Sequence, residues 1–401
     1  MASGVANRGA ALRAARSGAP SDGTHIPCIS PRILPDRQLR REWAELLSAA
    51  QLTNHGPHAL ALEAELGQWL DSPVALVSSG SAALELGLLA LDLTHPTRRK
   101  ALLPACTYLA TLNAVQRVGL DPVFVDIDPA TWTVSPAAVE TALAAHRDVA
   151  VVLAVNVYGV PPALGRIREV AAAAGVPLLY DNAHGLGTTI AARRQPADAD
   201  VTTWSMHATK LLPAAEGGFV TAAEPATVAR VRQMRNHGLA ADPVQAVVGT
   251  NAKLSEVHAV LARSGLRQLP RILSQRRANY AWLERALLAA ADGRVTLQAS
   301  TPDGVSNAQN LTVLVVDDDG APAPTLALRW IAALAAEGVE ARRYFWPPLH
   351  TLARTAAWAA PLPITEAIMP ALVCLPLHTH MPAPTLRRLQ RAFHTTLAGL
   401  H

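Results

Sequence analysis

Cysteine is scarce in this chain of 401 residues. The three cysteines, Cys28, Cys106 and Cys374, stand far apart, and the sequence contains neither a CxxC spacing nor a Cys/His cluster. Their odd number and wide spacing argue against a disulfide framework and give no indication of a zinc site. We therefore expect no bound metal and a reducing, cytoplasmic setting.

Long apolar runs are also missing. The longest stretch without Asp, Glu, Lys, Arg or His, Val149 to Gly165, contains Asn156 and Tyr158 and is shorter than a bilayer span requires. Residues 1–25 are rich in Ala, Ser, Gly and Arg and lack the apolar segment of a secretory signal. We expect no membrane association and a disordered N-terminal tail over residues 1–25. An organelle transit peptide is the alternative, because this segment is arginine-rich and poor in acidic residues.

The basic residues are not concentrated in one place. The net charge of +4 is spread thinly over the chain, and no basic stripe of the kind that binds nucleic acid is visible. We expect no nucleic-acid partner. Only three of the 35 basic residues are lysines, Lys100, Lys210 and Lys253. Against this arginine-rich background each lysine is a candidate for a specific role.

The order of apolar runs predicts an α/β fold. From about residue 73, runs such as PVALVSS, DVAVVLAVNVYG and VPLLYD alternate with segments of helical spacing. Continuous Val- and Leu-rich runs of this kind are typical of parallel strands that are buried on both faces. We predict a large domain over residues 26–262, with a mainly parallel sheet covered by helices. Beyond it, a long helix at Gln275–Ala291 and Pro-rich stretches predict a smaller C-terminal α/β domain over residues 263–401.

Two stretches place binding groups where strands are predicted to end. In SSGSAAL a strand passes through Gly80 and Ser81 into a helix, and the free N–H groups of such a turn bind phosphate. An ordinary strand–helix turn is the alternative. In PACTYLAT the ring of Tyr108 follows a strand end, where it is able to stack on a planar ligand. Core packing of this ring is the alternative.

Two further stretches carry ionisable groups. YDNAHGLG places Asp181 and His184 just after the apolar run VPLL, where an unpaired charge is costly to bury. A helix cap or an ion pair for Asp181 and a core position for His184 are the alternatives. SMHATKLLPAAEGG surrounds Lys210 with apolar residues, which lowers the pKa of a lysine and makes it a nucleophile. A surface lysine is the alternative.

Together the four stretches supply what pyridoxal 5′-phosphate (PLP) requires. This cofactor needs a lysine for its aldehyde, an acid for its ring nitrogen, an aromatic ring to stack on and a phosphate site. Asp181 would then be paired with the protonated nitrogen of the cofactor. The sequence therefore predicts PLP as the cofactor, with Lys210, Asp181 and His184 as the catalytic residues.

These stretches resemble the sugar aminotransferases of the DegT/DnrJ/EryC1/StrS family, which have the type I (aspartate-aminotransferase) fold. The resemblance runs from Leu52 to Met381 and includes RNHG (Arg235–Gly238), GTNAKLSE and EARRYFWPPLH. It implies that Lys210 binds PLP covalently, that Asp181 faces the pyridine nitrogen, that His184 lies near the phenolic oxygen and that Tyr108 stacks on the ring. It further implies phosphate contacts from Gly80, Ser81 and Ser205, a contact from Asn251 of the neighbouring subunit in a homodimer, and a sugar site bordered by His350.

The resemblance also implies a reaction. Dehydratases of this family carry histidine at the position of Lys210, so the lysine favours amino transfer. We expect glutamate or glutamine to donate an amino group and a nucleotide-linked keto-deoxysugar, such as a 4-keto-6-deoxy sugar, to accept it. Three alternatives stay open at this point: amination of a keto-cyclitol or another non-sugar ketone, a non-enzymatic regulator that keeps the cofactor, and an α/β binding protein without cofactor.

Overall fold

The computed structural model describes residues 25–400 apart from positions 34, 50, 94–96, 195–197, 241, 243, 245, 302–303 and 307–308. Except for His25, the predicted N-terminal tail lies outside these described residues. Among the helices of the described part, none has the length and apolar character that crossing a bilayer requires.

A seven-stranded sheet forms the centre of the fold. Its strands are β1 (Ala75–Val77), β2 (Lys100–Pro104), β3 (Asp121–Val125), β4 (Val149–Val155), β5 (Leu178–Asp181), β7 (Val201–Ser205) and β8 (Gly218–Ala222). Their order across the sheet is β1-β8-β7-β5-β4-β2-β3. Strand β8 runs antiparallel to both of its neighbours, whereas the strands from β7 to β3 pair in parallel. This mainly parallel sheet confirms the predicted fold class.

Two smaller sheets follow. Strand β6 (Thr189–Ile190) pairs with β10 (Gly304–Val305), and the three strands β9 (Val295–Leu297), β11 (Leu311–Val315) and β12 (Leu372–Leu375) form an antiparallel sheet. The three-stranded sheet packs in a separate apolar cluster that includes Trp330 and Phe393. It lies in the part of the chain for which the smaller C-terminal domain is predicted, and the boundary itself stays a prediction.

Helices cover both faces of the central sheet. The α-helices of the described residues are α1 (Arg37–Ala49), α2 (Pro57–Leu70), α3 (Gly80–Ala90), α4 (Leu109–Arg117), α5 (Pro136–Ala145), α6 (Leu164–Ala173), α7 (Pro225–Met234), α8 (Glu256–Ala291), α9 (Pro324–Ala336), α10 (Pro363–Ile368) and α11 (Ala383–Ala398). Of these, α9 and α11 pack against the three-stranded sheet. Alternate residues of β4 pack on opposite sides: Val151 and Leu153 contact the layer of α3, α4 and α7, and Val152 and Ala154 that of α5 and α6. Every residue of β4 is consequently buried, which explains its unbroken apolar run.

Helix α8 is much longer than the sequence predicts. It begins at Glu256 rather than Gln275, and the Ser255 hydroxyl caps it by accepting a hydrogen bond from the His258 N–H. Pro270 lies inside the helix, where a missing N–H usually interrupts helical structure. Residues on both sides of Pro270 are buried, so tertiary packing keeps the helix continuous. The predicted domain boundary at residues 262 and 263 falls within this helix.

Candidate active site

A cavity of about 540 Å³ opens at the carboxyl edge of the central sheet. Parallel strands end at the same edge, so the loops that follow them meet there. The lining includes Ser79, Gly80 and Ser81 after β1, Thr107 and Tyr108 after β2, Asn156 after β4, Asp181, Ala183 and His184 at the end of β5, and Ser205, His207, Thr209 and Lys210 at and after the end of β7. All the predicted site residues except Asn251 and His350 therefore share this cavity.

The turn from β1 into α3 forms a close-fitting cradle. Ser79 caps the helix by accepting a hydrogen bond of 3.1 Å from the Ala82 N–H. The first N–H groups of a helix have no partner within the helix and attract an anion. A Cβ atom added to Gly80 would lie 2.9 Å from Cβ and 3.0 Å from Oγ of Ser205. Glycine is therefore required for Ser205 to approach the helix terminus, and this geometry suits a phosphate.

Gly80→Ala tests this cradle. We expect the added methyl group to push Ser205 away and to weaken the binding of PLP about tenfold or more, since overpacking forces a local shift. The dissociation constant is measured by absorbance titration of the apo-protein with PLP. Gly165→Ala is the matched control, because a Cβ there has only Asp198 Oδ2, at 3.9 Å, within 4 Å. Unchanged affinity in Gly80→Ala would contradict the assignment of the cradle.

Asp181 is a buried carboxylate at the end of β5. Its Oδ2 accepts a hydrogen bond of 2.8 Å from the Thr111 hydroxyl, and its Oδ1 accepts one of 3.2 Å from the Ala183 N–H. Burial raises the pKa of Asp181, while these two hydrogen bonds and the charge of Lys210 act in the opposite direction. A cationic group placed in the cavity would offset the cost of burial and keep this carboxylate ionised.

Lys210 lies in the turn that follows β7. Its backbone N–H donates to the His207 carbonyl at 2.9 Å, which holds the turn in shape. Burial lowers the pKa of the Lys210 amine to about 8, and the nearby Asp181 carboxylate only partly opposes this shift. A larger fraction of this amine than of an ordinary lysine is therefore neutral near physiological pH and able to attack a carbonyl carbon.

Two rings lie near these charged groups. His184 is almost fully buried, and burial, followed by the charge of Lys210, lowers its pKa well below the usual value. The neutral imidazole is able to donate one hydrogen bond without adding charge to the site. Tyr108 lines the cavity with 63% of its surface exposed, so its ring is free to cover a planar ligand.

Sequence reasoning missed several residues of this site. Thr111 donates a hydrogen bond to the Asp181 carboxylate. It is the last residue of PACTYLAT, but that stretch indicates a role only for Tyr108. Asn156 lines the cavity directly after β4, and its Nδ2 donates to the Tyr180 hydroxyl at 3.1 Å. Its Oδ1 is buried without a hydrogen-bond partner among the described residues. The sequence does carry a signal for Asn156, because this residue directly follows the predicted strand β4 and ligand-binding side chains are expected at the carboxyl ends of parallel strands.

The described residues thus fit pyridoxal phosphate. The Gly80 cradle suits its phosphate, the Asp181 carboxylate suits a protonated ring nitrogen, and the Lys210 amine suits its aldehyde. Among the described residues there is no group of three or more His, Cys, Asp or Glu side chains arranged to hold a metal ion.

A comparison with known families decides the class of protein. The model of the DegT/DnrJ/EryC1/StrS aminotransferase family matches residues 35–393. The chain belongs to this family. It is therefore a PLP-dependent aminotransferase, as the resemblance in its motifs predicts.

Individual relatives agree with this placement. The chain is 36% identical to EryC1, an erythromycin biosynthesis sensory transduction protein of Saccharopolyspora erythraea, over 54% of this chain and 58% of EryC1, less than two thirds of that relative. It is 30% identical to protein Rv3402c of Mycobacterium tuberculosis over 92% of this chain and 89% of the relative. The crystal structure of DesI, solved in the presence of its TDP-sugar product, has a TM-score of 0.84, 28% identity and 94% coverage of both chains.

Two residues singled out by the family motifs lie outside the cavity lining of the single chain. Asn251 is exposed, and its Oδ1 accepts a hydrogen bond of 2.7 Å from the Lys253 amine. His350 is buried, with its Nε2 3.1 Å from Glu366 Oε1. The roles of Asn251 at a partner's phosphate and of His350 at a sugar site stay predictions for this family member.

Proposed function

We propose that this aminotransferase moves an amino group from glutamate or glutamine to a nucleotide-linked keto-deoxysugar. The observation that carries the proposal is the joint location of Lys210, Asp181 and the Gly80 cradle in one cavity. Bound PLP supplies an electron sink that stabilises negative charge on the substrate carbon. Two alternatives from the sequence were a regulator without activity and a binding protein without cofactor. Both are disfavoured, because the chain belongs to an aminotransferase family and keeps Lys210, Asp181 and the Gly80 cradle.

Each ionisable residue has a role in the proposed reaction. The neutral Lys210 amine would take the proton released from the substrate carbon and, as an ammonium group, give it back, as general base and then general acid. The Asp181 carboxylate would hold a proton on the ring nitrogen of PLP, and Thr111 keeps the carboxylate in place. His184 lines the same cavity, where its neutral imidazole would help to hold the cofactor ring.

The surroundings of Lys210 support an anionic amino donor. Lys210 also lines a second, narrow gap of about 50 Å³, together with Arg32 and Arg276. The Arg276 guanidinium donates hydrogen bonds to the carbonyls of Gln309 at 2.6 Å and Leu377 at 3.1 Å, whereas Arg32 is exposed. The charge of Arg32 favours a ligand that carries carboxylates, such as glutamate or glutamine.

The size and chemistry of the main cavity support a sugar acceptor. Its volume of about 540 Å³ is within the range of small-molecule sites. The lining combines the polar side chains of His207, Glu216 and Arg342 with the rings of Tyr108 and Phe345, which suits a ligand with polar and apolar faces. The TDP-sugar product named for DesI, at 28% identity, points in the same direction.

A comparison of acceptors tests the proposed function. The PLP-loaded enzyme is incubated with glutamate and with either a nucleoside-diphosphate 4-keto-6-deoxyhexose or a keto-cyclitol, and the products are measured by mass. We expect amination of the nucleotide sugar with a kcat/KM at least about tenfold above that of the cyclitol. Amination of the cyclitol alone would replace the proposed acceptor by the non-sugar ketone.

We further propose a homodimer in which Asn251 reaches the phosphate of the partner's cofactor. Lys210→Ala chains are mixed with Asn251→Asp chains, in which a negative charge would face the phosphate. Position 251 is exposed in the single chain, so the substitution is expected to leave the fold of each protomer intact. A mixed dimer then holds one doubly defective site and one intact site, so roughly a quarter of wild-type activity returns after random exchange.

This complementation has its own control. Pull-down with differently tagged chains establishes that mixed dimers form, and each single variant alone is expected to be poorly active. Mixed dimers without restored activity would show that Asn251 acts within its own chain or has no role at the phosphate.

A further inference from the structure

Phe345 has a backbone conformation that bulky residues seldom adopt. Its φ angle is 63°, in the left-handed region where a Cβ atom meets steric resistance. Such a conformation persists only where surrounding contacts impose it, and large side chains in this state are concentrated at functional sites. The position of the Phe345 ring is therefore the feature that needs an explanation.

The packing of neighbouring rings fixes the Phe345 ring. It stacks on Tyr158 with a centroid distance of 5.2 Å and an interplanar angle of 15°. It also stacks on His184 at 5.5 Å and 13°, and Tyr344 contacts it at 4.9 Å. These contacts hold the ring nearly parallel to the imidazole that lies beside the proposed cofactor.

The Phe345 ring is also part of the cavity wall. Phe345 is only half-buried and lines the main cavity together with Tyr108, whose ring centroid is 6.4 Å away. His207 and Glu216 contribute polar groups to the same lining, with His207 Nε2 3.6 Å from Glu216 Oε1. The cavity thus offers a flat apolar surface as well as hydrogen-bonding groups close to the predicted reaction centre.

We propose that Phe345 is a specificity-determining residue that contacts the deoxygenated part of the acceptor sugar. This inference rests on the proposed function and adds to it the reason why a deoxysugar is preferred. The face of the Phe345 ring offers no strong hydrogen-bonding group. A methyl group at C6 of the acceptor gains an apolar contact with the ring, whereas a hydroxymethyl group at C6 would lose the water molecules bound to its hydroxyl group without a replacement. The packed rings hold this surface in place before the acceptor binds, which reduces the entropy lost on binding.

Binding of two matched nucleotide sugars to the PLP-loaded enzyme tests the proposal. TDP-6-deoxyglucose and TDP-glucose differ by one oxygen atom and carry no keto group, so isothermal titration calorimetry reads affinity without turnover. We expect the wild type to bind the 6-deoxy ligand about tenfold more tightly. Equal affinities in the wild type would overturn the proposal.

Phe345→Asn is the informative variant. Asparagine tolerates the left-handed conformation, so the backbone keeps its shape while the ring is removed. We expect the preference for TDP-6-deoxyglucose to fall below about twofold, because the apolar contact is gone. Phe345→Tyr keeps the ring face and is expected to retain the preference. Phe345→Gly, which also tolerates the left-handed conformation, is expected to reduce the preference in the same direction should the Asn variant fail to fold.

The control distinguishes this role from a structural one. Trp346→Leu changes the adjacent exposed ring, which is not part of the described cavity lining. We expect it to keep the preference. Equal weakening of both ligands by Phe345→Asn would assign the ring to packing alone and overturn the inference. Failure of the proposed function itself is read from a different experiment, the comparison of acceptors: amination of the keto-cyclitol alone would rule out the sugar acceptor, whatever the calorimetry shows.

Discussion

Lys210→Ala is expected to abolish amino transfer, with a loss of about ten-thousandfold or more in kcat, because the variant lacks both the covalent attachment and the general base. In the wild type, sodium borohydride is expected to attach PLP irreversibly to the peptide that contains Lys210. The variant lacks this label. Activity is measured with glutamate as donor, and the labelled peptide is identified by mass spectrometry.

Lys100→Ala is the matched control for this variant. Lys100 forms an ion pair with Asp148 at 3.1 Å, away from the cavity lining. We expect Lys100→Ala to keep the covalent label and near-normal activity. Borohydride labelling at Lys100 or Lys253 in the wild type would contradict the assignment of Lys210.

The pH dependence of PLP capture follows from the same lysine. Because burial lowers the pKa of Lys210 to about 8, the amine is mostly protonated below this pH and mostly neutral above it. The rate at which the apo-protein captures PLP covalently is expected to rise about tenfold per pH unit below 8 and to level off above it. Stopped-flow absorbance measures this rate. A rise that continues to pH 10 would show an amine with an ordinary pKa.

Asp181→Asn is expected to lower kcat by a factor of about a hundred to a thousand, since electrostatic stabilisation of this kind contributes several kcal/mol. The amide oxygen is able to accept from the Ala183 N–H and the amide nitrogen to donate to the Thr111 hydroxyl, but the side chain carries no negative charge to keep the ring nitrogen protonated. Burial raises the pKa of Asp181, so its charged form destabilises the folded apo-protein at neutral pH. The apo-variant is therefore expected to be at least as stable as the wild type, which thermal unfolding measures.

Asp126→Asn provides the matched control. Asp126 directly follows β3 at the same edge of the sheet, where it accepts hydrogen bonds from the Ile364 N–H at 3.0 Å and the Thr365 hydroxyl at 2.6 Å. It is not part of the described cavity lining. We expect this variant to lose stability and to keep catalysis, the reverse of Asp181→Asn. A near-native kcat in Asp181→Asn would make Asp181 a structural residue.

The central sheet and most residues of the candidate site follow from local sequence patterns. The unbroken apolar run of β4 indicates a strand that is buried on both faces, and the residues after β5 and β7 indicate a site. Asp181 and Lys210 are predicted site residues because an ionisable group next to a buried strand is costly unless it has a partner. These signals are contained in a few consecutive residues, so one sequence is enough to detect them.

Long-range packing supplied what the sequence did not indicate. Pro270 predicts a break, yet contacts with residues distant in the chain keep α8 continuous from Glu256. Phe345 packs in an apolar cluster that joins Val155, at the end of β4, to strands β11 and β12, and this packing brings its ring to the cavity. The three cysteines, far apart in sequence, lie buried in one apolar cluster, which no local pattern indicates.

The half-reaction with glutamate alone is the sharpest test of amino transfer at Lys210. The PLP-loaded enzyme is mixed with glutamate in the absence of any acceptor, and the absorbance of the cofactor and the release of 2-oxoglutarate are measured together. If Lys210, Asp181 and the Gly80 cradle form an amino-transfer site, the absorbance shifts and about one equivalent of 2-oxoglutarate appears per chain. An absorbance that neither glutamate nor glutamine changes, with no keto acid released, would show that this cavity is not an amino-transfer site.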